Sequence, residues 1–424
     1  MATESPKIKI AIIGGGIAGL SLLFGLLKHP HLEPTLYEAG PEIAGDEGAG
    51  IGLAVNALKA LELIDPELRK AVLRADSVAL SMPVAKMMMA DVDHLYYGKE
   101  LLEVSARDEK NGGVLFQRSK FISELFKLVP STSCRTNKKL SRVSEHEKGV
   151  TLYFEDGTQE EVDALIGGDG IHSNVKKHVL RDVPGNWDSF FCHQYFYVAL
   201  IPMAKGKEVL GDQYLNTLCQ FCWLGKDNFL IHDPCNNGET LQLIAVNSTG
   251  ETWDSKEWTR EKSLSDLKSD LSGAGDLGMG FYELLSSQQQ PLTVRSTWEH
   301  PPTPTYSSGR SGILGDAAHA MQPWQAAGAG QAIEDAMILS TLFSEVKAAS
   351  EVPSALKAYT EIRRDRTQYV QRMSQEMGTF LLGDSNLVKD VDAFRKIILG
   401  RWDEMWYFDL EGHRKQAIEL MKAS

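Results

Sequence analysis

Three glycines near the amino terminus are spaced as in a loop that holds the phosphates of a dinucleotide. Gly14, Gly16 and Gly19 fit the pattern G-x-G-x-x-G. The first permits a tight turn, the second lets the backbone approach a pyrophosphate, and the third lets a helix pack closely. An acidic residue, Glu38, follows about 20 residues later, where it can accept hydrogen bonds from both hydroxyls of an adenosine ribose. The same carboxylate would repel a 2′-phosphate, so FAD or NAD is predicted here rather than NADP.

The elements that must position these residues can be predicted from the sequence around them. An apolar run from Ile8 to Ile13 predicts a buried strand before the glycines, and Leu20 to Lys28 predicts a helix after them. Pro34 to Tyr37 predicts a second strand. Ile17 and Ala18 lie where the helix begins, and the free N–H groups and dipole of a helix start favour anionic phosphates.

The same stretch has a second interpretation. Lys7 and Lys9 precede an almost wholly apolar segment, Ile10 to Leu27, as in a signal peptide or a membrane span. Three consecutive glycines would weaken a membrane helix, and no small-residue cleavage site follows before Glu33. The strand–turn–helix context therefore favours the nucleotide loop.

The composition is typical of a globular protein. The chain has 424 residues, 43% hydrophobic and 24% charged, enough for two domains or for one large domain with an insertion. A net charge of −13 argues against nucleic acid or an anionic membrane as a partner. Five cysteines are too few for a disulfide scaffold and indicate a reducing, cytoplasmic location. Cys219 and Cys222 form a C-x-x-C without a second pair or a histidine cluster, so no metal site is predicted.

Hydrophobic periodicity predicts the remaining elements. A second G-x-G-x-x-G, Gly273 to Gly278, follows a polar helical stretch instead of a buried strand and is predicted to be a flexible loop. Strand after strand is predicted from Cys192 to Ser248, and mostly helix from Gln331 onward. The predicted helices include Leu53 to Leu63, Ser119 to Leu128 and Ala355 to Met373. The last carries Arg363, Arg364 and Arg366 on its polar side, where either a solvated face or pairing with carboxylates is expected.

Two further stretches end an apolar run with glycine and aspartate. Asp163 to Ser173 contains Gly-Gly-Asp-Gly, and Gly312 to His319 contains Gly-Asp, followed by Pro323 and by Gly-Ala-Gly at 328–330. Together with the first glycine loop and with Gly48-Ala49-Gly50-Ile51-Gly52, these motifs occur in the order found in the class A flavoprotein aromatic hydroxylases. The chain most closely resembles the salicylate-hydroxylase-like subgroup, over roughly the first 370 residues.

The resemblance implies an α/β fold. It consists of a Rossmann-like FAD-binding domain of the para-hydroxybenzoate-hydroxylase type, an inserted mixed β-sheet domain for the substrate, and C-terminal helices. The implied boundaries are residues 1–75, 101–180 and 295–370 for a discontinuous FAD-binding domain, 76–100 and 181–294 for the substrate-binding sheet, and 371–424 for the C-terminal helical segment.

The resemblance also implies how FAD is bound. Asp316 would bind a ribityl hydroxyl, and Asp169 would lie near the pyrophosphate. Arg118 would face the phosphates or a ribose, although a solvated arginine at a helix start is the alternative. Gly328 and Ala329 would offer N–H groups near the flavin N1–C2=O, and His319 would pin the Gly-Asp turn. The predicted cofactor-binding residues are Gly14, Gly16, Ile17, Ala18, Gly19, Glu38, Gly50, Arg118, Asp169, Asp316, Gly328 and Ala329.

The activity implied by the resemblance is FAD-dependent monooxygenation. NADH or NADPH would reduce the flavin, and O2 would form a flavin C4a-hydroperoxide. One oxygen would go to an aromatic, phenolic small molecule, with or without decarboxylation or dearomatisation, and the other would leave as water. A non-phenolic natural product such as an indole alkaloid is the alternative substrate. A non-catalytic flavin- or nucleotide-binding protein is a further alternative, which the intact Gly315-Asp316 disfavours. A monomer or homodimer is expected.

The sequence departs from the family pattern around the substrate. Val198 stands where close relatives commonly have Arg, and Asp233-Pro234 stands where they tend to have Tyr-Pro. The familiar Pro-His-Gln-Gly is here Pro323 to Ala326, with Trp324 as its second residue. The predicted pocket residues are Val198, Asp233 and Trp324. Without a carboxylate clamp, a phenol or another electron-rich ring is predicted in preference to salicylate itself.

Four residues are candidates for catalysis. His232 is a candidate base toward a phenol, and its alternative is a strand histidine hydrogen-bonded to Asp233 or to backbone. Tyr195 and Tyr197 are alternative bases on one face of the same sheet. Pro323 would border the flavin ring near C4a, by resemblance.

Overall fold

The protein is described here by a computed structural model. The structure describes residues 6–43, 50–82, 84–108, 112–254, 257–288, 291–382, 388 and 390–423. Gly48 and Ala49 of the predicted glycine-rich loop lie outside the described residues.

The described strands fall into four sheets. In chain order they are β1 (Ile8–Ile13), β2 (Leu32–Tyr37), β3 (Gly50–Leu53), β4 (Val78–Ala79), β5 (Ala85–Met89), β6 (Glu100–Val104), β7 (Val114–Gln117), β8 (Cys134–Arg135), β9 (Leu140–His146), β10 (Gly149–Phe154), β11 (Gln159–Val162), β12 (Ala164–Gly167), β13 (Phe190–Pro202), β14 (Gln220–Leu224), β15 (Asn228–Cys235), β16 (Thr240–Ser248), β17 (Thr259–Lys262), β18 (Leu292–Glu299), β19 (Ser307–Ser308) and β20 (Ser311–Ile313).

The described α-helices lie between and after these strands. They are α1 (Ile17–Leu27), α2 (Val55–Ile64), α3 (Pro66–Arg74), α4 (Arg118–Phe126), α5 (Asn174–Val179), α6 (Met203–Leu210), α7 (Asp212–Leu215), α8 (Leu264–Asp270), α9 (Gly275–Ser286), α10 (Asp316–His319), α11 (Gly328–Glu345), α12 (Val352–Leu382), α13 (Val391–Trp406) and α14 (Leu410–Ala423). None of the described helices is long and apolar enough to cross a membrane.

The first sheet is a Rossmann-like, mainly parallel sheet with the strand order β19-β20-β12-β1-β2-β8, in which only the edge strand β19 is antiparallel to its neighbour. β1 pairs in parallel with β2 and β12, and β12 pairs in parallel with β20. The carboxyl ends of β1, β12 and β20 therefore meet at one edge, where α/β sheets bind their ligands. All three sequence motifs that suggested a nucleotide site lie at this edge.

The largest sheet has eight strands in the order β17-β18-β13-β16-β15-β14-β5-β6. Because side chains alternate along a strand, this sheet has two distinct faces. One, the helix-side face, packs against α6 and α9. The other, the loop-side face, packs against α12, α13 and residues 321–327, which we call the 321–327 loop.

The sequence-based boundaries differ from the structure at several points. β6 and β18 run across the predicted domain boundaries at 100/101 and 294/295, and both belong to the eight-stranded sheet. The helix α12 runs across 370/371 and is longer than predicted. The prediction of a loop at 273–278 is wrong from Gly275 onward, where α9 begins. Leu271 and Ala274, just before this helix, are buried.

Candidate active site

The glycine turn between β1 and α1 is built by two close backbone contacts. Gly14 has φ = +104°, and a Cβ there would lie 2.3 Å from the carbonyl oxygen of Gly168. A Cβ on Gly19 would lie 2.0 Å from the carbonyl oxygen of Gly14. Neither position admits a side chain, so the turn and the close approach of α1 both require glycine.

Open space and a cation lie beside the third glycine of this turn. The nearest heavy atom to a Cβ built on Gly16 is Arg118 Nη2, at 3.8 Å. No side chain caps the start of α1, so the N–H groups at Ile17 and Ala18 are left for a ligand. A helix start facing a guanidinium is suited to a pyrophosphate, and the binding of phosphate or ribose by Arg118 stays a prediction.

Glu38 lies at the carboxyl end of β2 next to the turn. Its Oε2 accepts from the Gly15 N–H at 2.7 Å, and its Oε1 accepts from the Gly40 N–H at 2.8 Å. These contacts fix the carboxylate at the edge of the sheet, where a ribose diol is expected.

Asp169 is engaged by its own chain. Its carboxylate accepts from the hydroxyl of Ser173, the N-cap of α5, at 2.5 Å and from the Asn174 N–H at 2.8 Å. Burial raises the pKa of this carboxyl. Asp169 follows Gly168, which touches Gly14, so it lies close to the turn, but its oxygens hold protein groups. Its role toward the pyrophosphate stays a prediction.

Asp316 is exposed, whereas the residues around it are buried. Gly315 adopts φ = +60° at the end of β20, and Asp316 then begins α10. The Gly315 N–H donates to Asp335 Oδ2 at 2.9 Å, and His319 Nε2 lies 2.6 Å from the same oxygen. Asp335 thus holds both ends of this turn, which confirms that His319 pins the Gly-Asp turn and leaves Asp316 directed outward.

Asp335 belongs to a buried ionic cluster on α11 and α12. Arg363 Nε donates to Asp335 at 2.8 Å, and its Nη1 donates to Glu334 at 2.7 Å. Burial alone would raise the pKa of Glu334, but Arg366 and Arg363 lower it to about 2. Of the two interpretations of this face, carboxylate pairing is confirmed for Arg363 and Arg366, which are buried beside Glu334 and Asp335. A solvated face holds only for Arg364, which is half-exposed.

The 321–327 loop presents its backbone and small residues outward. Pro323 and Ala326 are exposed, and the Ala326 N–H closes a turn onto the Pro323 carbonyl at 2.9 Å. Ala326 has φ = +50°, a conformation that favours glycine. Gln325 is only 3% exposed, yet neither atom of its amide has a hydrogen-bond partner within the described residues.

Trp324 forms part of the buried wall behind this loop. Its Nε1 donates to Gln322 Oε1 at 2.7 Å, and its ring lies edge-on to Phe229, with centroids 5.7 Å apart. A Cβ on Gly378 of α12 would lie 2.4 Å from the indole nitrogen, so that glycine makes room for the ring. The role of Trp324 as a residue of the substrate pocket stays a prediction.

The start of α11 follows the loop directly. Ala327 is its N-cap, and no side chain caps the helix. Gly328 and Ala329 are half-buried, and a Cβ on Gly328 would meet nothing nearer than Met321 at 3.9 Å. Their N–H groups are therefore available to an electronegative ligand atom.

The three predicted bases lie on the helix-side face of the eight-stranded sheet, away from the 321–327 loop. The His232 ring stacks on Phe221 with centroids 4.9 Å apart, and neither ring nitrogen has a hydrogen-bond partner among the described residues. Burial lowers the pKa of His232 to about 3. The hydroxyls of Tyr195 and Tyr197 both donate to Asp270, at 2.8 and 2.6 Å. The structure therefore does not support His232, Tyr195 or Tyr197 as a base beside the 321–327 loop. The hydrogen bond from His232 to Asp233 or to backbone is also wrong.

The loop-side face is apolar at its centre. Val198 pairs with Ile244, and Ile244 pairs with Ile231 on the next strand. These three side chains and that of Phe196 are half-buried, although they lie in the middle of the sheet. Asp233 follows on the same face but is buried, and burial raises its pKa to about 6. Val198 therefore lies on a partly exposed apolar surface, and Asp233 is buried on the same face of the sheet. The contact of either residue with a substrate stays a prediction.

Comparison with known proteins agrees with this arrangement. A family model described as an FAD binding domain matches residues 247–374. A 6-methylsalicylate 1-monooxygenase from Aspergillus terreus is 36% identical, over 99% of this chain and 93% of that protein. A salicylate hydroxylase from Pseudomonas putida is 29% identical, over 98% of this chain and 95% of that protein. A salicylate hydroxylase solved as a substrate complex superimposes with a TM-score of 0.84 and 26% identity, over 98% of each chain.

The chain belongs to the salicylate-hydroxylase-like FAD-dependent monooxygenases. The fold and the FAD requirement predicted from the sequence are thereby confirmed, together with NAD(P)H and O2 as co-substrates. The residues of this monooxygenase fit FAD. The space beside Gly16 faces Arg118, Asp316 is exposed, and the amide of Gln325 is buried without a partner in the described parts of the chain.

Sequence reasoning did not assign a role to the buried polar residues that support the cofactor site of the monooxygenase. Glu334, Asp335 and Gln325 carry no spacing signal that distinguishes them from ordinary helix and loop residues. The available signal was the pair of charged residues Glu334-Asp335 within the mostly apolar first half of α11, since buried charges require partners.

Proposed function

We propose that this monooxygenase oxygenates a small, electron-rich aromatic ring, above all a phenol, lying between the loop-side face and the 321–327 loop. The observation that carries the proposal is the half-exposed apolar centre formed by Phe196, Val198, Ile231 and Ile244. Side chains in the middle of an eight-stranded sheet are normally covered, so their exposure indicates a cavity lined by apolar groups, as aromatic ligands require.

The relatives support an aromatic ring but not the same anchoring group. Those named above are, by name, enzymes of salicylate and 6-methylsalicylate, which carry a phenol and a carboxylate. Val198 offers no charge to a carboxylate, and its neighbours across the strands are Ile244 and Ile231. A phenol without a carboxylate therefore fits this surface better than a phenolic acid.

The protein's own groups hold and shield the reacting partners. Glu38, Arg118 and the start of α1 would bind the adenosine and pyrophosphate, and Asp316 would bind a ribityl hydroxyl. Gly328 and Ala329 would donate N–H groups to the flavin ring, with Pro323 at its edge. When bound and reduced by NADH or NADPH, FAD supplies activated oxygen. The apolar surface orients the substrate ring and excludes water.

A second substrate class is favoured by the position of the predicted bases. His232, Tyr195 and Tyr197 do not reach the loop-side face, so a ring that needs no deprotonation, such as an indole, is the second candidate substrate. We also propose a cytoplasmic location and a monomer or homodimer. For the domain division, we propose a discontinuous FAD-binding domain, an inserted substrate-binding domain that includes all of β6 and β18, and a C-terminal helical segment.

The test is a substrate panel on the purified, full-length protein. NADH and NADPH consumption is measured with phenols, phenolic acids and indoles, and products are identified by mass spectrometry as oxygen adducts. We expect a yellow protein whose NAD(P)H consumption is accelerated most by phenols. Acceleration confined to indoles would establish the second class, and acceleration confined to phenolic acids would contradict the argument from Val198.

A further inference from the structure

A chain of side-chain hydrogen bonds connects the substrate sheet to β3. The Gly50 N–H donates to Gln242 Oε1. Gln242 Nε2 donates to Asp233 Oδ1 at 3.1 Å, and Gln220 Nε2 donates to Asp233 Oδ2 at 2.9 Å. The chain thus crosses β14, β15 and β16 and ends on the backbone of β3.

We propose that Asp233 is a positioning residue that acts through Gln242 to hold Gly50, and with it the β3–β7 wall of the FAD site. The inference rests on the proposed function, because it assigns a role at the same site. Asp233 does not contact the substrate in this assignment, which revises its prediction as a pocket residue.

The carboxylate explains why the amide of Gln242 points as it does. A glutamine amide has a donor end and an acceptor end, whereas an ionised carboxylate only accepts. Asp233 therefore draws the NH2 group of Gln242 toward itself and leaves Oε1 for the Gly50 N–H. Gln220 is oriented in the same way, since its Oε1 is left for the Cys222 thiol at 3.5 Å.

The approach of β3 to the sheet requires glycine at position 50. A Cβ there would lie 2.8 Å from Cys235 Sγ and 3.2 Å from Gln242 Oε1. Gly50 is therefore in direct contact with β15 and β16, and its backbone position is set by these neighbours.

The constraint is transmitted to the phosphate end of the site. Gly50 pairs with Gln117 at the end of β7, and the next residue is Arg118, which faces Gly16. A shift of β3 would therefore move Arg118 relative to the glycine turn. Asp233 and Arg118 are connected through one hydrogen-bond chain and one strand pair.

The experiment compares FAD affinity in variants of the full-length protein stripped of FAD. Asp233→Leu and Gln242→Leu each interrupt the hydrogen-bond chain. We expect each to raise the FAD dissociation constant about tenfold, because buried amides then lose their hydrogen-bond partners. The double variant is expected to lose no more than the worse single variant, because both changes break one chain. The KM for the aromatic substrate, measured at saturating FAD, is expected to stay within about twofold of wild type.

The matched control is His232→Leu, on the same strand but on the opposite face of the sheet. It changes a neighbouring buried side chain that takes no part in the hydrogen-bond chain, so we expect unchanged FAD affinity. Asp233→Asn keeps one acceptor and is expected to restore part of the affinity, and it serves as the test variant if Asp233→Leu does not fold.

The outcomes separate this inference from the proposed function. A wild-type protein that binds no FAD contradicts both. A wild-type protein that binds FAD, with folded Asp233 and Gln242 variants of equal FAD affinity, overturns the positioning role alone. A raised substrate KM with unchanged FAD affinity would show that Asp233 contacts substrate, which also overturns it.

Discussion

Arg363 and Asp335 form an ion pair of 2.8 Å in which both side chains are completely buried. The same Asp335 accepts from the Gly315 N–H, so the pair connects α12 to the turn that carries Asp316. A buried charge that loses its partner is strongly destabilising, even where the intact pair adds little. This pair therefore couples the stability of the fold to the geometry of the cofactor site.

Removing the Arg363 guanidinium should destabilise the folded protein. Arg363→Met leaves Glu334 and Asp335 buried without their closest cation, and we expect the free energy of unfolding to fall by about 3–5 kcal/mol. Chemical denaturation measures it. Arg364→Met, at the half-exposed neighbouring position, is the matched control and should change stability by less than about 1 kcal/mol. Equal losses in the two variants would show that the buried cluster is not a special source of stability.

The exposed carboxylate at the end of β20 should matter for the cofactor and not for the fold. Asp316→Ala is expected to lower the FAD content of the purified protein, with a dissociation constant raised by about 10–100-fold for the lost charged hydrogen bond. Its melting temperature without FAD should be unchanged, because Asp316 is exposed. Asp182→Ala, also at an exposed aspartate, should retain normal FAD content. Normal flavin occupancy in Asp316→Ala would remove this residue from the site.

The sequence predicted the glycine turn and its strand–helix context well, because those features depend on local spacing. It did not predict which face of the large sheet Tyr195 and Tyr197 occupy. Alternation places them together, but the side they face depends on packing against α9, which is distant in sequence. Likewise, helical period placed Arg363 with polar neighbours, while its partners on α11 were recognisable only in three dimensions.

The 321–327 loop contains backbone strain that glycine would relieve. Ala326 has φ = +50°, where an L-residue is disfavoured by about 1–2 kcal/mol, partly offset by the greater freedom of glycine in the unfolded chain. Ala326→Gly is therefore expected to stabilise the protein by up to about 1 kcal/mol in a thermal or chemical melt. Ala204→Gly, at an exposed position in α6 without positive φ, is the control and should not stabilise, because glycine is disfavoured within a helix. Destabilisation by Ala326→Gly would show that the Ala326 methyl group makes contacts that outweigh the strain.

The buried carboxyl of Asp233 should make stability depend on pH. Burial raises its pKa from 3.8 to about 6, so the folded protein holds this proton more tightly than the unfolded chain. The contribution of protonated Asp233 to the free energy of unfolding is fully present below pH 3.8, the pKa in the unfolded chain. It is lost as the pH rises to about 6, a change of up to about 3 kcal/mol. Asp233→Asn should flatten the stability profile between pH 4 and about 6. An unchanged profile in a folded variant would show that Asp233 does not titrate in this range.

His232 should have the opposite dependence and no catalytic effect. Burial lowers its pKa to about 3, so its contribution is present above the unfolded value of 6.5 and is lost as the pH falls toward the folded value. His232→Leu should therefore reduce the acid sensitivity of the fold. The pH profile of kcat should keep its shape, because the ring stacks on Phe221 on the helix-side face and cannot accept a proton from a substrate near the 321–327 loop. Stopped-flow or steady-state kinetics from pH 6 to about 9 tests this in the range where a catalytic histidine would titrate. Loss of a kinetic pKa near 6.5 in His232→Leu, with substrate still bound, would restore His232 as the base and contradict its placement.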